Sequence, residues 1–305
     1  MVTIIQIVLP VFIVLALGYA VKRAGLIDDA FIRTANRLIF NVCLPVLLYY
    51  KISLADLSSV FSALHVGVMY ISVIVIFLIS FLLNRPLKLG HSAGTFAIDS
   101  FRANFAYMGL PVSAYAFGDM GLVTASVLMA FVVPFANLLS VVALAISSHA
   151  GKSLKPLIRT ALFNPLAAAC VAGLLTSWSG IHFPDFFSRS LDIVSGVTLP
   201  LALFSVGGTI SIEKLRGDMF RASLSALLKL VVMPLTAFAL FSAFGVAIGI
   251  PEKTVIIMVS APAATVNYVL AATMDGDPSL AGSSIVLSTL LSVLTFTLWL
   301  FVLGV

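Results

Sequence analysis

Two stretches of this chain set a proline in the middle of a long apolar run. FRANFAYMGLPVSAYAFG carries Pro111 directly after Gly109 and Leu110, and VIIMVSAPAATVNYVLA carries Pro262 between Ala261 and Ala263. A helix-interior proline removes one backbone donor and collides with the preceding turn. In lipid, the polar groups freed this way survive only where protein or a water-lined cavity satisfies them. The second half of a severed helix begins with unpaired N–H groups and the positive end of a helix dipole. Two such ends aimed at one point form an anion site that needs no fixed charge. The candidate set is therefore the backbone around Gly109, Leu110, Pro111, Ala261, Pro262 and Ala263. The side-chain amides of Asn104 and Asn267 add donors on either side of the breaks.

Three charges fall inside apolar runs. Asp99 and Arg102 are spaced i, i+3 and share one helix face. Such a pair is costly within a membrane, which suits proton coupling or a gate; the alternative is an interfacial ion pair. Lys229 lies about 12 Å, at helical rise, into its run. It offers a positive charge to an anion, or snorkels, or holds a private partner. A second proline pair, Pro45 in NVCLPVLL and Pro200 in GVTLPLAL, shares one local pattern. With Asn41 beside the first, these mark expected matched kinks near the crossing half-helices, or plain packing kinks.

The elements that position these residues follow from composition. Hydrophobic residues make up 61% of the 305, charged residues 10%, and mean hydropathy is +1.17. Soluble domains carry about 25% charged residues, so this chain is an integral membrane protein. Its apolar runs are about 20 residues long, which fits helices and not the alternating strands of a barrel. Ten spans are expected: 2–21, 33–50, 63–83, 93–117, 121–147, 157–178, 188–211, 219–245, 253–273 and 280–303. The first run has no basic flank before it and is taken as a retained span, not a cleaved leader.

The chain also repeats itself. At an offset of 155, Pro10 falls on Pro165, Gly18 on Gly173, Gly25 on Gly180 and Pro45 on Pro200; Gly90, Gly94 and Gly121 fall on Gly245, Gly249 and Gly276. Residues 1–150 and 151–305 then form two copies of five spans each. An odd number of spans turns the second copy upside down, a layout found in secondary transporters. Pro111 and Pro262 are 151 apart, so the inner symmetry is offset by about one turn.

Loop charge sets direction. Lys22, Arg23, Arg33, Arg37, Arg85, Lys88, Arg102, Lys152, Lys155, Arg159, Lys214, Arg216 and Arg221 gather on one side, against Lys51, Arg189 and Lys253 on the other. Both termini are expected outside the cytoplasm. Net charge is +5, but the basic residues sit in short loops between spans, so nucleic acid is not an expected partner.

Here a resemblance becomes specific. Asn36, Arg37 and Pro45–Leu47, then Asn104, Met108, Gly109 and Pro111, then Pro262, Val269, Asp277 and Pro278, follow in the order seen in the auxin efflux carrier family. That family includes the plant PIN proteins and bacterial organic-anion carriers, and the resemblance covers essentially the whole chain. It implies an all-α fold of ten helices in two inverted repeats, with helices 4 and 9 crossing at their breaks. It further implies a scaffold of spans 1, 2, 6 and 7, a moving transport domain of spans 3–5 and 8–10, an elevator motion and a homodimer. Plant members carry Gln and Gly after the ninth-span proline and a long loop after span 5. This chain has Ala263 and Ala264 and no such loop, so the bacterial branch, the bacterial inner membrane and small carboxylates or dicarboxylates are the better fit.

The leading expectation is a secondary carrier of small organic anions working by alternating access. The alternative is a sodium- or proton-coupled symporter or antiporter on a related fold, with H+ or Na+ as coupling ion. No phosphate-binding loop is present to take ATP. An intramembrane enzyme would need clustered His, Asp, Glu or Ser with a base in reach, and the sequence shows none. His65, His91, His149 and His182 fall near span ends without clustering, so neither a metal nor another cofactor is expected. Cys43 and Cys170 lie within apolar runs, which argues against a disulfide. Asn137 and Asn164 either line a path or close interhelical hydrogen bonds.

Overall fold

The computed structural model describes residues 2–55, 61–147, 165–181, 183–211, 213, 215 and 218–305. Lys152, Lys155, Arg159, Lys214, Arg216, His149, His182, Asn164 and the first part of the expected sixth span lie outside the described residues. Within them the chain is nearly all helical. In order come α1 (Val2–Arg23), α2 (Asp29–Ser53), α3 (Ala63–Leu82), α4 (Ala93–Phe101), α5 (Leu110–Ser147), α6 (Pro165–Ser179), α7 (Asp185–Thr209), α8 (Met219–Ala243), α9 (Ile250–Ser260), α10 (Val266–Thr273) and α11 (Pro278–Val302). Seven helical runs among the described residues are long and apolar enough to cross a membrane. They are α1, α2, α3, the run Phe105–Ser147, α7, α8 and α11.

The helix starts are written locally. Asp28, Asp218 and Asp277 precede α2, α8 and α11, and each carboxylate accepts the N–H three residues on, at 2.7, 3.0 and 3.0 Å. The ends of α1 and α6 are closed by Gly25 and Gly180, whose φ angles of 75° and 66° a side chain resists.

Proline shapes this fold through widened turns. A π-turn occupies Ile39–Cys43, Phe105–Gly109 and Leu228–Val232, and each ends two residues before a proline: Pro45, Pro111 and Pro234. The residue before each proline donates its N–H five residues back, from Leu44 to Ile39, Leu110 to Phe105 and Met233 to Leu228. The wider turn displaces the carbonyl that the proline ring would strike. The carbonyl of Leu230, four residues before Pro234, instead accepts the Trp299 indole N–H at 3.0 Å.

One expectation is corrected by this. Pro111 does not sever its helix; it sits in the helical run beyond a π-turn, and the break falls earlier, at Arg102–Asn104. The expected kink positions Pro45 and Pro200 differ in local structure. Pro45 follows a π-turn, whereas Pro200 lies inside α7 without one. Within α5 the helix breaks at Gly118 (φ 62°, ψ −148°), dividing 110–117 from 119–147. The chain doubles back there, bringing Asn137 beside Arg102.

Close packing relies on small residues. A methyl added to Gly18 of α1 would strike the Phe204 carbonyl of α7. One added to Gly173 of α6 would meet Ile52 and, at 3.1 Å, the Tyr49 carbonyl of α2. Gly18 and Gly173 are 155 apart, and so are Tyr49 and Phe204.

Candidate functional site

After Phe101 and after Ser260 the chain leaves the helix in an extended conformation, at Arg102 (φ −83°, ψ 101°) and Ala261 (φ −61°, ψ 145°). The two stretches run antiparallel, with Ala103 opposite Ala263. Asn104 N–H donates to the Pro262 carbonyl at 2.7 Å, and Ala264 N–H to the Arg102 carbonyl at 3.0 Å. Ala263 N–H donates to Ser288 Oγ on α11 at 3.1 Å. Each break thus satisfies the other, as buried backbone must. Pro262 fits because this register asks it for an acceptor and no donor. At 1.5 Å per residue α4, α9 and α10 are each roughly 12–17 Å long. That is about half of a hydrocarbon core of ~30 Å.

Beyond the crossing the second halves begin. Phe105, Ala106 and Tyr107 have no helical carbonyl behind their N–H groups. With Ala264, Thr265 and Val266 at the head of α10, they line one cavity of about 1100 Å³. Asn36, Arg37 and Asn41 of α2 form its opposite wall, and Arg102, Asn104 and Asn137 its polar floor. Lys22, Asp29 and Arg33 also line it, and they belong to the end of α1 and the start of α2. Asp29 is the one carboxylate among the lining residues, and Lys22 holds it at 2.6 Å. Arg33, Arg37 and Arg102 therefore leave the cavity positive.

The candidate residues divide into those at the cavity and those behind it. Asn104 lines it, is 5% exposed, and its Nδ2 has no partner among the described residues. Asn41 lines it while donating to the Arg37 carbonyl at 2.8 Å. Ala261, Pro262 and Ala263 are buried in the crossing itself and act through the bridge. Gly109, Leu110 and Pro111 lie past the half-helix tip, against α9, where a Cβ on Gly109 would meet Met258 Sδ at 3.0 Å. Pro45 and Pro200 do not line the cavity.

The buried polar residues depart most from expectation. Asp99 and Arg102 do not pair. Arg102 has left the helix and gives its guanidinium to the Asn137 amide oxygen. Asp99 receives the Asn267 Nδ2 at 3.0 Å instead. Asn267 also donates to the Ile98 carbonyl at 3.1 Å, so it ties α10 to α4 and does not face the cavity. Lys229 neither snorkels nor reaches the cavity. It is fully buried, and its Nζ donates to the Val259 carbonyl at 2.5 Å, in the last turn of α9 where a helix dipole favours a cation. Sequence reasoning named Asn36 only within the family motif, and passed over Tyr107 and Thr265. Asn36 Oδ1 accepts from Ser205 Oγ at 2.7 Å, and its carbonyl accepts from the Tyr107 hydroxyl at 3.4 Å. The signal for Tyr107 was its place just after Asn104, visible once the break is set there and not at Pro111. Among the described residues no group of His, Cys, Asp or Glu could hold a metal ion.

The membrane transport protein family matches this chain over residues 3–155 and 140–300, one match to each half. The chain belongs to that family. It is the auxin efflux carrier, or PIN-like, family, and the motif resemblance above stands. An uncharacterized transporter of Methanothermobacter thermautotrophicus is similar, 28% identical over 295 residues that cover 96% of each chain. A Rhizobium meliloti relative, provisionally named a malonate transporter, is 26% identical over 302 residues, 95% of this chain and 92% of its own. The ileal sodium/bile acid cotransporter of Oryctolagus cuniculus is 35% identical over 124 residues, 40% of this chain and 35% of its own. This family member is thus a helical integral membrane protein among proteins named as transporters.

Proposed function

We propose that this protein is a secondary carrier of small carboxylate anions, with dicarboxylates such as malonate as the first substrates to test. The observation that carries this is the positive cavity at the crossing. Two half-helix starts, the unpartnered Asn104 Nδ2 and three arginines meet there around a single space. The carboxylate would sit at the N–H groups of Phe105–Tyr107 and Thr265–Val266, with Asn104 donating to it. The Rhizobium relative's name supports malonate.

The chain would cross the membrane ten times, as two inverted copies within 1–150 and 151–305. Spans 4 and 9 would each be two half-helices, and the doubling back at Gly118 would separate spans 4 and 5. The paired contacts of Gly18 and Gly173 support that arrangement. Spans 1, 2, 6 and 7 would form the scaffold and the rest the elevator, working as a homodimer in the bacterial inner membrane. Both termini would lie outside the cytoplasm, and the cavity would then open inward, since Lys22, Arg33 and Arg37 mark its mouth.

Purified protein in liposomes tests this directly. Labelled malonate should enter vesicles pre-loaded with malonate faster than protein-free vesicles, and succinate or acetate would rank the substrate class. No saturable flux of any mono- or dicarboxylate would overturn the proposal. The sodium- or proton-coupled alternative draws support from the similarity to the sodium/bile acid cotransporter, and imposed ion gradients in the same vesicles address it.

A further inference from the structure

Behind the crossing lies a carboxylate with no ion-pair partner among the described residues. Asp99 is 1% exposed, and Asn267 is fully buried. Asn267 Nδ2 donates to one carboxylate oxygen, while among the described residues Asp99 Oδ2 and Asn267 Oδ1 both lack a hydrogen-bond donor. These two oxygens, on side chains already joined by the other amide–carboxylate bond, could both be served by one hydrogen.

The groups around Asp99 sharpen this. Asp277, just before α11, adds a like charge, and the Ser284 hydroxyl of α11 lies in hydrogen-bonding reach of Asp99. Ser225 of α8 donates to Ser284 at 3.1 Å, extending a line of hydroxyls. Lys229, also on α8, is turned to Val259, and Arg102 to Asn137. On α3, His65 is held by Glu252 at 2.7 Å; past Gly118, Asp119 is held by Lys51 at 2.9 Å. His91, in the turn before α4, is exposed. An isolated buried carboxylate is costly, and uptake of a proton removes that cost. A sodium ion would want five or six oxygens; the unpartnered side-chain oxygens here number two, both of which one proton serves.

We propose that Asp99 and Asn267 form a proton site that couples proton entry to anion entry. The proton comes from water and forms an O–H bond at Asp99 Oδ2. That O–H donates to Asn267 Oδ1 while Asn267 Nδ2 keeps donating to Asp99 Oδ1, closing a two-point acid–amide pair. Asp99 lies one turn before Arg102, and Asn267 lies in the first turn of α10, whose head lines the cavity. Neutralising Asp99 therefore removes a negative charge close behind the anion. Proton and anion favour each other's binding, and by linkage the coupling is mutual. The coupling rests on the carrier function above; the proton site does not.

Infrared difference spectra of the purified protein across a pH series, without added anion, test the site. A protonated-carboxyl band should grow on acidification, downshift in deuterated water, and be lost in Asp99→Asn. It should persist with a displaced midpoint in Asn267→Ala, which also serves if Asp99→Asn does not fold. No such band in the wild type, or identical titrations in all three, overturns the site. So does thermal stabilisation by sodium chloride over choline chloride that Asp99→Asn abolishes. In liposomes, an inwardly directed proton gradient should drive malonate accumulation, and this drive should be lost in Asp99→Asn. A titrating band without malonate flux would remove the carrier proposal and leave the proton site. Malonate flux with no band would do the reverse.

Discussion

The Thr198 hydroxyl donates to the backbone carbonyl of Cys43 at 3.1 Å, and the two residues are 155 apart. In the proposed repeat a residue that touches its own counterpart lies on the axis relating the copies. The glycines obey the same interval: Gly18 meets the Phe204 carbonyl as Gly173 meets that of Tyr49. Replacing either glycine with Leu should destabilise the protein, by about 1–3 kcal/mol for overpacking a tight contact, and by more at Gly18, whose Cβ would lie 2.0 Å from a carbonyl oxygen against 3.0 Å from a side chain at Gly173. Gly67→Ala, which meets nothing within 4 Å, should change little. Thermal melts of the three purified variants check this, and an unchanged melt in either the Gly18 or the Gly173 variant would count against the paired contact.

Asn104→Ala should weaken malonate binding about tenfold. A hydrogen bond to a charged group is worth roughly 1.5–3 kcal/mol, and a water can recover part of it. The backbone bond from Asn104 to Pro262 is retained, so the melting temperature should stay near wild type. Titration calorimetry with malonate reads the first, and a thermal melt the second.

The two mid-run prolines should behave differently. Pro262→Ala restores an N–H in the bridge and allows helix through the break, so flux should fall strongly. Pro111→Ala restores an N–H within a helical run, away from the crossing, and should leave most of the flux. Liposome uptake compares them; equal losses would show that the bridge is not what Pro262 protects.

Lys229→Met should leave the apparent malonate constant within about twofold, because the ammonium caps α9 and does not touch the cavity. Replacing a buried charge by a well-packed apolar chain is often close to neutral for stability. A rise of tenfold or more in that constant would put Lys229 in contact with the anion after all.

Lys51 of α2 pairs with Asp119 just past Gly118 at 2.9 Å, joining an expected scaffold span to an expected moving one. Cysteines at both positions, once oxidised, should stop flux, and a reductant should restore it. Cys43 and Cys170 are buried and free, so they should not interfere. Unaltered flux in a demonstrably cross-linked protein would sink the relative motion.

The sequence by itself determined the solvent and the helices. Apolar runs of membrane length, aspartates three residues ahead of helical N–H groups and glycines at helix ends are local facts, and local physics reads them. It also located the break in span 9, since Pro262 lies within it. Only the tertiary structure decided the break in span 4. A proline is a one-turn constraint, and a π-turn relieves it without parting the helix, as before Pro45, Pro111 and Pro234. What parts span 4 is pairing with a segment 160 residues away, Ala103 with Ala263, and no local pattern encodes that register. The partners of Asp99, Arg102, Asn267 and Lys229 were hidden for the same reason. A buried polar group takes whichever donor or acceptor packing brings to it, and here packing brought Asn267, Asn137, Asp99 and Val259.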